Sequence, residues 1–144
     1  MPATARTDAH VLLDTDVASY IYSDRAHAEP YLTLILGHVA AISFVTIGEM
    51  LRGALGRRWS PRRIAHMEQH LAETYVTLPY SQTVAKTWAS IMTVCSSRGV
   101  TVTENDAWIA AVAADYGCAL VTNDRIFARI SDAYPALRLV TPPR

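Results

Sequence analysis

Glu104-Asn105-Asp106-Ala107-Trp108-Ile109-Ala110-Ala111-Val112-Ala113-Ala114-Asp115-Tyr116-Gly117-Cys118-Ala119-Leu120-Val121-Thr122-Asn123-Asp124 is the stretch that decides the fold. Residues 104–116 are apolar nearly all round, which suits a helix buried in the middle of a molecule. Gly117 stops that helix. Ala119-Leu120-Val121 follows as a short apolar run with no polar alternation, the pattern of a strand covered on both faces. An acid, Asp124, stands just beyond it.

The same alternation extends outward in both directions. Residues 10–14, HVLLD, make a first strand ending in Asp14. Residues 15–22 and 27–37 read as helical, and residues 40–43 as a short buried strand. Residues 44–57 suit a helix with Ile47, Met50, Leu51, Ala54 and Leu55 on one face. Ser60-Pro61 gives an N-cap and a Pro at the first helical position, with Ile64, Met67 and Leu71 at helical spacing. Residues 75–78 are a strand ended by Pro79. Val84, Trp88, Ile91, Met92 and Cys95 form a further helical stripe before Gly99. Residues 124–130 read as a short helix and residues 137–140 as a last strand. Short apolar strands alternating with helices specify an α/β fold with a parallel sheet covered on both faces. Such sheets carry their sites beyond the carboxyl ends of the strands, here after Asp14, Ser43, Leu78 and Val121.

Composition sets the frame. The chain has 144 residues, 51% of them hydrophobic and 18% charged. That fits a single domain over residues 10–144, preceded by a short polar arm at residues 1–9. The formal net charge is zero, which argues against nucleic-acid binding by bulk electrostatics but allows a local basic face. Lys86 is the only lysine; the other basic residues are arginines. Cys95 and Cys118 lie in apolar segments without a CxxC and read as reduced, buried thiols. No leader and no membrane-length apolar run is evident, so the expected location is cytoplasmic.

Acids gather at or just after the predicted strand ends: Asp14 closes the first strand, Glu49 lies two turns into the helix after the second, Asp106 lies in the first turn of the buried helix, and Asp124 follows the strand ending in Val121. Each has a structural reading as well. Asp14 suits a turn or N-cap, Glu49 can pair with Arg52, Thr103-x-x-Asp106 resembles a capping box, and Asp124 suits a turn. As a set they point elsewhere. Carboxylates in one cleft repel unless protonated or neutralised by a cation, and oxygen-only ligands select hard cations such as Mg²⁺ or Mn²⁺. A water activated there can attack a phosphodiester.

These residues resemble the motifs of a known family. Leu12-Leu13-Asp14-Thr15-Asp16-Val17 resembles the opening strand and turn of PIN-domain proteins. Ser43-Phe44-Val45-Thr46-Ile47-Gly48-Glu49, continued by Arg52-Gly53, resembles their second motif. Residues 104–111 resemble the third and residues 120–124 the fourth. The order and size most resemble VapC-type toxin ribonucleases. The resemblance implies a three-layer α/β/α sandwich, an RNA substrate, a Mg²⁺ or Mn²⁺ cofactor, a homodimer and a cognate antitoxin. It implies metal ligation by Asp14, Glu49, Asp106 and Asp124, with Thr122 orienting a carboxylate or a water. Asp16 either joins the metal site or N-caps the first helix, and the cap is the preferred reading.

Arg52, Arg57, Arg58, Arg62 and Arg63 concentrate positive charge around one helix–helix turn. They read as a solvated face or as contacts for RNA phosphates or antitoxin carboxylates, Arg52, Arg57 and Arg58 above all. Trp88 and Trp108 read as core, Trp59 as core or as a base-stacking side chain, and the five histidines as surface residues. Two rival functions stand beside the ribonuclease. One is a PIN-like scaffold that binds RNA or a partner without cleaving. The other is a phosphatase of the haloacid-dehalogenase type, with Asp14 as nucleophile and Lys86 as its required lysine.

Overall fold

The structure is a computed structural model that describes residues 10–143. The expected N-terminal arm, residues 1–9, lies outside the described residues. Five strands, β1 (His10–Leu13), β2 (Val39–Ser43), β3 (Val76–Leu78), β4 (Ala119–Val121) and β5 (Leu139–Val140), form one sheet in the order β3-β2-β1-β4-β5. Every pairing is parallel.

Seven helices are described: α1 (Thr15–Ser23), α2 (Arg25–Ile35), α3 (Phe44–Gly56), α4 (Pro61–Thr74), α5 (Gln82–Ser97), α6 (Glu104–Tyr116) and α7 (Arg125–Ala133). Side chains alternate across a strand, and the sheet divides its residues accordingly. Leu12, Ala41 and Leu120 join one apolar cluster with residues of α5, α6 and α7. Val11, Leu13, Ile42 and Val121 join a second with residues of α1 to α4. The architecture is the expected α/β/α sandwich.

The expected buried helix is α6. Ala107, Ile109, Ala110, Ala111, Val112 and Ala113 are all buried, and it ends at Gly117 in the left-handed conformation, φ 70°. Gly pays no steric penalty there. Small side chains let α6 approach its main neighbour, α5, closely.

Several boundaries and environments differ from expectation. The second helix starts at Arg25 because Asp24 caps it, accepting from the His27 N–H. It ends at Ile35, shortly before Gly37 at φ 84°. Tyr75 belongs to the C-cap of α4 and not to β3. The last strand is Leu139–Val140 alone, since the Leu137 N–H closes a turn onto the Tyr134 carbonyl. Trp88 and Trp108 are half-buried at the rim of their cluster, stacked with ring centroids 4.7 Å apart. His70 is half-buried rather than exposed, with Nε2 shielded from solvent. Cys95 and Cys118 are buried free thiols.

Candidate active site

The strand order reverses between β1 and β4, since the chain runs outward from β1 to β2 and β3 on one side and to β4 and β5 on the other. A crevice opens at such a switch point, beyond the carboxyl ends of the strands. Leu13 lies in register with Val121, so the next residues, Asp14 and Thr122, face each other at the crevice floor.

Asp14 is 3% exposed and Thr122 fully buried. The Thr122 hydroxyl donates to Asp14 Oδ2 and accepts from the Asp124 N–H at 3.0 Å. Asp14 Oδ1 accepts from the Val17 N–H at 2.9 Å. Asp14 is therefore the N-cap of α1, and Asp124 is the N-cap of α7, accepting from the Ile126 N–H. The structural and the chemical readings of these acids coincide. A helix N-terminus stabilises a carboxylate there, and each capped oxygen keeps a second lone pair.

This corrects the reading of Asp16. The cap of α1 is Asp14; Asp16 sits in the first helical turn and lines the crevice. Strand β1 ends one residue earlier than the run HVLLD suggests, which moves the cap back to Asp14. Glu49 makes no ion pair with Arg52 among the described residues. Its Oε1 accepts from the Thr15 hydroxyl at 2.6 Å, and its Oε2 from the Asn105 amide at 3.4 Å. Thr15 and Thr46 hydroxyls lie 3.0 Å apart. With the Thr15 proton committed to Glu49, Thr46 must donate to Thr15. Thr46 and Glu49 stand three apart on α3, the spacing of one helix face. That spacing was the available signal for Thr46 as a support; Thr15, on α1, carried none. Asp106 lies in the first turn of α6, where Thr103 caps its N–H.

Asp14, Asp16, Glu49, Asp106 and Asp124 line one cleft of about 100 Å³, with Thr15 beside them and Ile109 and Phe127 as its apolar wall. Burial pushes the Asp14 carboxyl up to about 6; bonds from Thr122 and Val17 oppose the rise, and the charges of Asp16 and Asp124 add to it. Asp106 is raised first by burial, then by Asp124, Glu49 and Asp16. Asp16 is raised by burial, Asp124 and Glu49. These are carboxylates under mutual repulsion, the condition a cation relieves.

The donor set fits a hard cation: the cleft's side-chain donors are all oxygens, with no His or Cys among its lining residues. The acids are spread around it; among the described residues no three close into a ready-made cage.

Of the arginines, Arg57 lines a neighbouring cavity that also contains Glu49 and Thr15. Arg52 and Arg58 are exposed and are not among the cleft's lining residues. Arg63 lies over the Trp59 ring, 3.8 Å from its centroid. Lys86 is exposed on α5 and does not line the cleft, which removes the lysine that the phosphatase reading requires.

Comparison with known proteins gives the family. The chain is 30% identical over 124 residues to ribonuclease VapC4 of Mycobacterium tuberculosis, covering 84% of this chain and 91% of that protein. It is 33% identical over 130 residues to ribonuclease VapC5 of the same organism, covering 88% and 92%. Among solved structures it resembles VapBC from Salmonella typhimurium bound to DNA, with TM-score 0.75 and 25% identity, covering 92% of this chain and 97% of that one. It shares the fold of VapBC2 from Rickettsia felis, with TM-score 0.77 and 20% identity, covering 93% and 99%. The profile described as PIN domain matches residues 11–133, and the chain belongs to the PIN domain family.

Proposed function

We propose that this protein is a divalent-metal-dependent endoribonuclease, the toxin of a toxin–antitoxin pair. The observation that carries the reading is the cleft of five acids at the β1/β4 switch point, built on an Asp14 raised to about 6. Its similarity to proteins named ribonuclease VapC, and to structures titled VapBC, supports RNA as substrate and an antitoxin as partner.

Asp14, Glu49, Asp106 and Asp124 would hold Mg²⁺ or Mn²⁺. When bound, the cation supplies charge neutralisation at the phosphate and a water acidic enough to attack it. Thr122 fixes the Asp14 carboxylate through one oxygen and the Val17 N–H through the other. Thr46 and Thr15 fix Glu49 in series. Asp16, exposed at the mouth of the cleft, stands where an incoming water can lose its proton. Arg57, with Arg52 and Arg58 on the same helix and turn, draws in RNA phosphates or antitoxin carboxylates. We further infer a homodimer acting in the cytoplasm, where Cys95 and Cys118 remain thiols; no described helix is long and apolar enough to cross a membrane.

The chemistry of the cut ends tests the mechanism. Attack by water with the 3′ oxygen leaving gives a 5′-phosphate and a 3′-hydroxyl. Fragments ending in a 2′,3′-cyclic phosphate would show that the RNA's own 2′-hydroxyl attacks, and the acid-cleft mechanism would be wrong.

A further inference from the structure

A second concavity of about 430 Å³ adjoins the acidic cleft. The two are joined through an intermediate hollow of about 150 Å³, which shares Asp14, Asp16 and Asp124 with the cleft and Tyr31 and Asn123 with the larger groove. Among the described residues the groove's lining holds no Asp, Glu, Lys or Arg: Ala26, His27, Pro30 and Tyr31 come from α2, Asn123 from the loop after β4, and Pro142 and Pro143 from the segment after β5. Its size falls within the ordinary range of small-molecule sites.

The lining has the chemistry of a nucleobase subsite. Ala26, His27, Pro30 and Tyr31 are spaced to share one face of α2. The His27 ring is exposed, stacks on Tyr20 at 5.0 Å between centroids, and is held by Asp24 at 2.8 Å. Pro30 has no N–H to give the Ala26 carbonyl four residues back, and Ala26 is among the lining residues. The Asn123 side chain hydrogen-bonds Tyr31, which holds it in the groove, and its amide keeps a further N–H and its carbonyl oxygen for a ligand. It lies between Thr122, which holds Asp14, and Asp124 at the cleft. A groove lined by a ring and an amide with no acidic, lysine or arginine side chain among its described residues, continuous with the proposed phosphate-handling cleft, matches the two halves of a nucleotide.

We propose that this groove binds the unpaired base of the nucleotide next to the scissile phosphate, with His27 stacking on the base and Asn123 reading its edge. The proposal rests on the ribonuclease reading for its substrate, but base binding is measurable without cleavage. Unpaired RNA bases are recognised in this way, by stacking on flat side chains and by hydrogen bonds to their edges.

The test is an NMR titration of the isotope-labelled protein with each of the four ribonucleoside 5′-monophosphates, and with ribose 5-phosphate as a probe that has no base. At least one nucleotide should shift the Asn123 side-chain amide and the His27 ring signals, and ribose 5-phosphate should not. His27→Ala should weaken that nucleotide by about 5- to 150-fold, the range one base-stacking contact supplies. Asn123→Asp should change the order of preference among the four bases. Equal shifts with ribose 5-phosphate, or no shift at these signals with any nucleotide, would overturn the proposal. Loss of RNA cleavage with base binding intact would instead fault the ribonuclease reading and leave the groove assignment standing.

Discussion

At the scale of the residue, Asp14 carries opposing demands. It caps α1, it is nearly sealed from water, and its carboxyl is pushed up to about 6. An acid whose folded pKa lies above its unfolded 3.8 binds more protons folded than unfolded between those values. Its contribution to stability is therefore greatest at low pH and is lost as pH rises from about 4 through about 6. The gap corresponds to an upper bound of about 3 kcal/mol. Asp14→Asn keeps a cap-competent oxygen and removes the charge. The metal-free variant should melt above the wild type at pH 7 and lose most of that advantage at pH 4; equal melting temperatures at pH 7 would contradict the assignment.

Thr122 makes a sharper residue test. Thr122→Val removes the donor to Asp14 while keeping the shape, and should lower RNA cleavage by about 10- to 100-fold, as loss of a ligand-orienting partner does. Thr122→Ser should retain most activity. Parallel cleavage rates check this, and equal rates for the Val and Ser variants would show that the hydroxyl does not matter. Asp14 and Asp124 were legible in the sequence because each stands just past a short apolar strand; Glu49 and Asp106 lie inside helices and were placed with them by motif and topology. The direction of Asp16 was not, because one residue's shift in a strand end decides which acid caps α1.

At the scale of the element, the α3–α4 turn holds Arg58 at φ 58°, the left-handed region that L side chains enter at a penalty of about 1–2 kcal/mol. Arg58→Gly should raise stability by about 1 kcal/mol, read from denaturant unfolding. If Arg58 contacts RNA or the antitoxin, the same variant should weaken that binding; a stabilised variant with unchanged affinity for both would make Arg58 a turn residue only. Helices α4, α5 and α6 could be placed from sequence because Ser60-Pro61, the stripe from Val84 to Cys95, and Gly117 each carry a local signal. The start of α2 could not, since Asp24 as cap and Pro30 inside the helix give conflicting signals. Trp88 and Trp108 fit a helical stripe, but periodicity does not distinguish the centre of a core from its rim.

At the scale of the molecule, topology does most of the functional work. Asp14, Glu49, Asp106 and Asp124 are far apart in sequence, and only a parallel sheet that reverses order at β1 and β4 brings them together. That much followed from the alternation of strands and helices. The nucleotide-sized groove did not, because it is assembled from α2, the loop after β4 and the segment after β5, which carry no common pattern. Adding Mg²⁺ or Mn²⁺ should raise the melting temperature of the wild type at pH 7, where the repelling carboxylates are ionised, and do so less at pH 4.

The most direct measurement is cleavage of total RNA by the purified protein with Mg²⁺ or Mn²⁺, beside an EDTA-treated sample and the Asp14→Asn variant. Cleavage that vanishes in both controls is the result expected of a metal-dependent ribonuclease acting through the acidic cleft. Cleavage that persists in either control, or fails in every sample across varied RNAs, would contradict it.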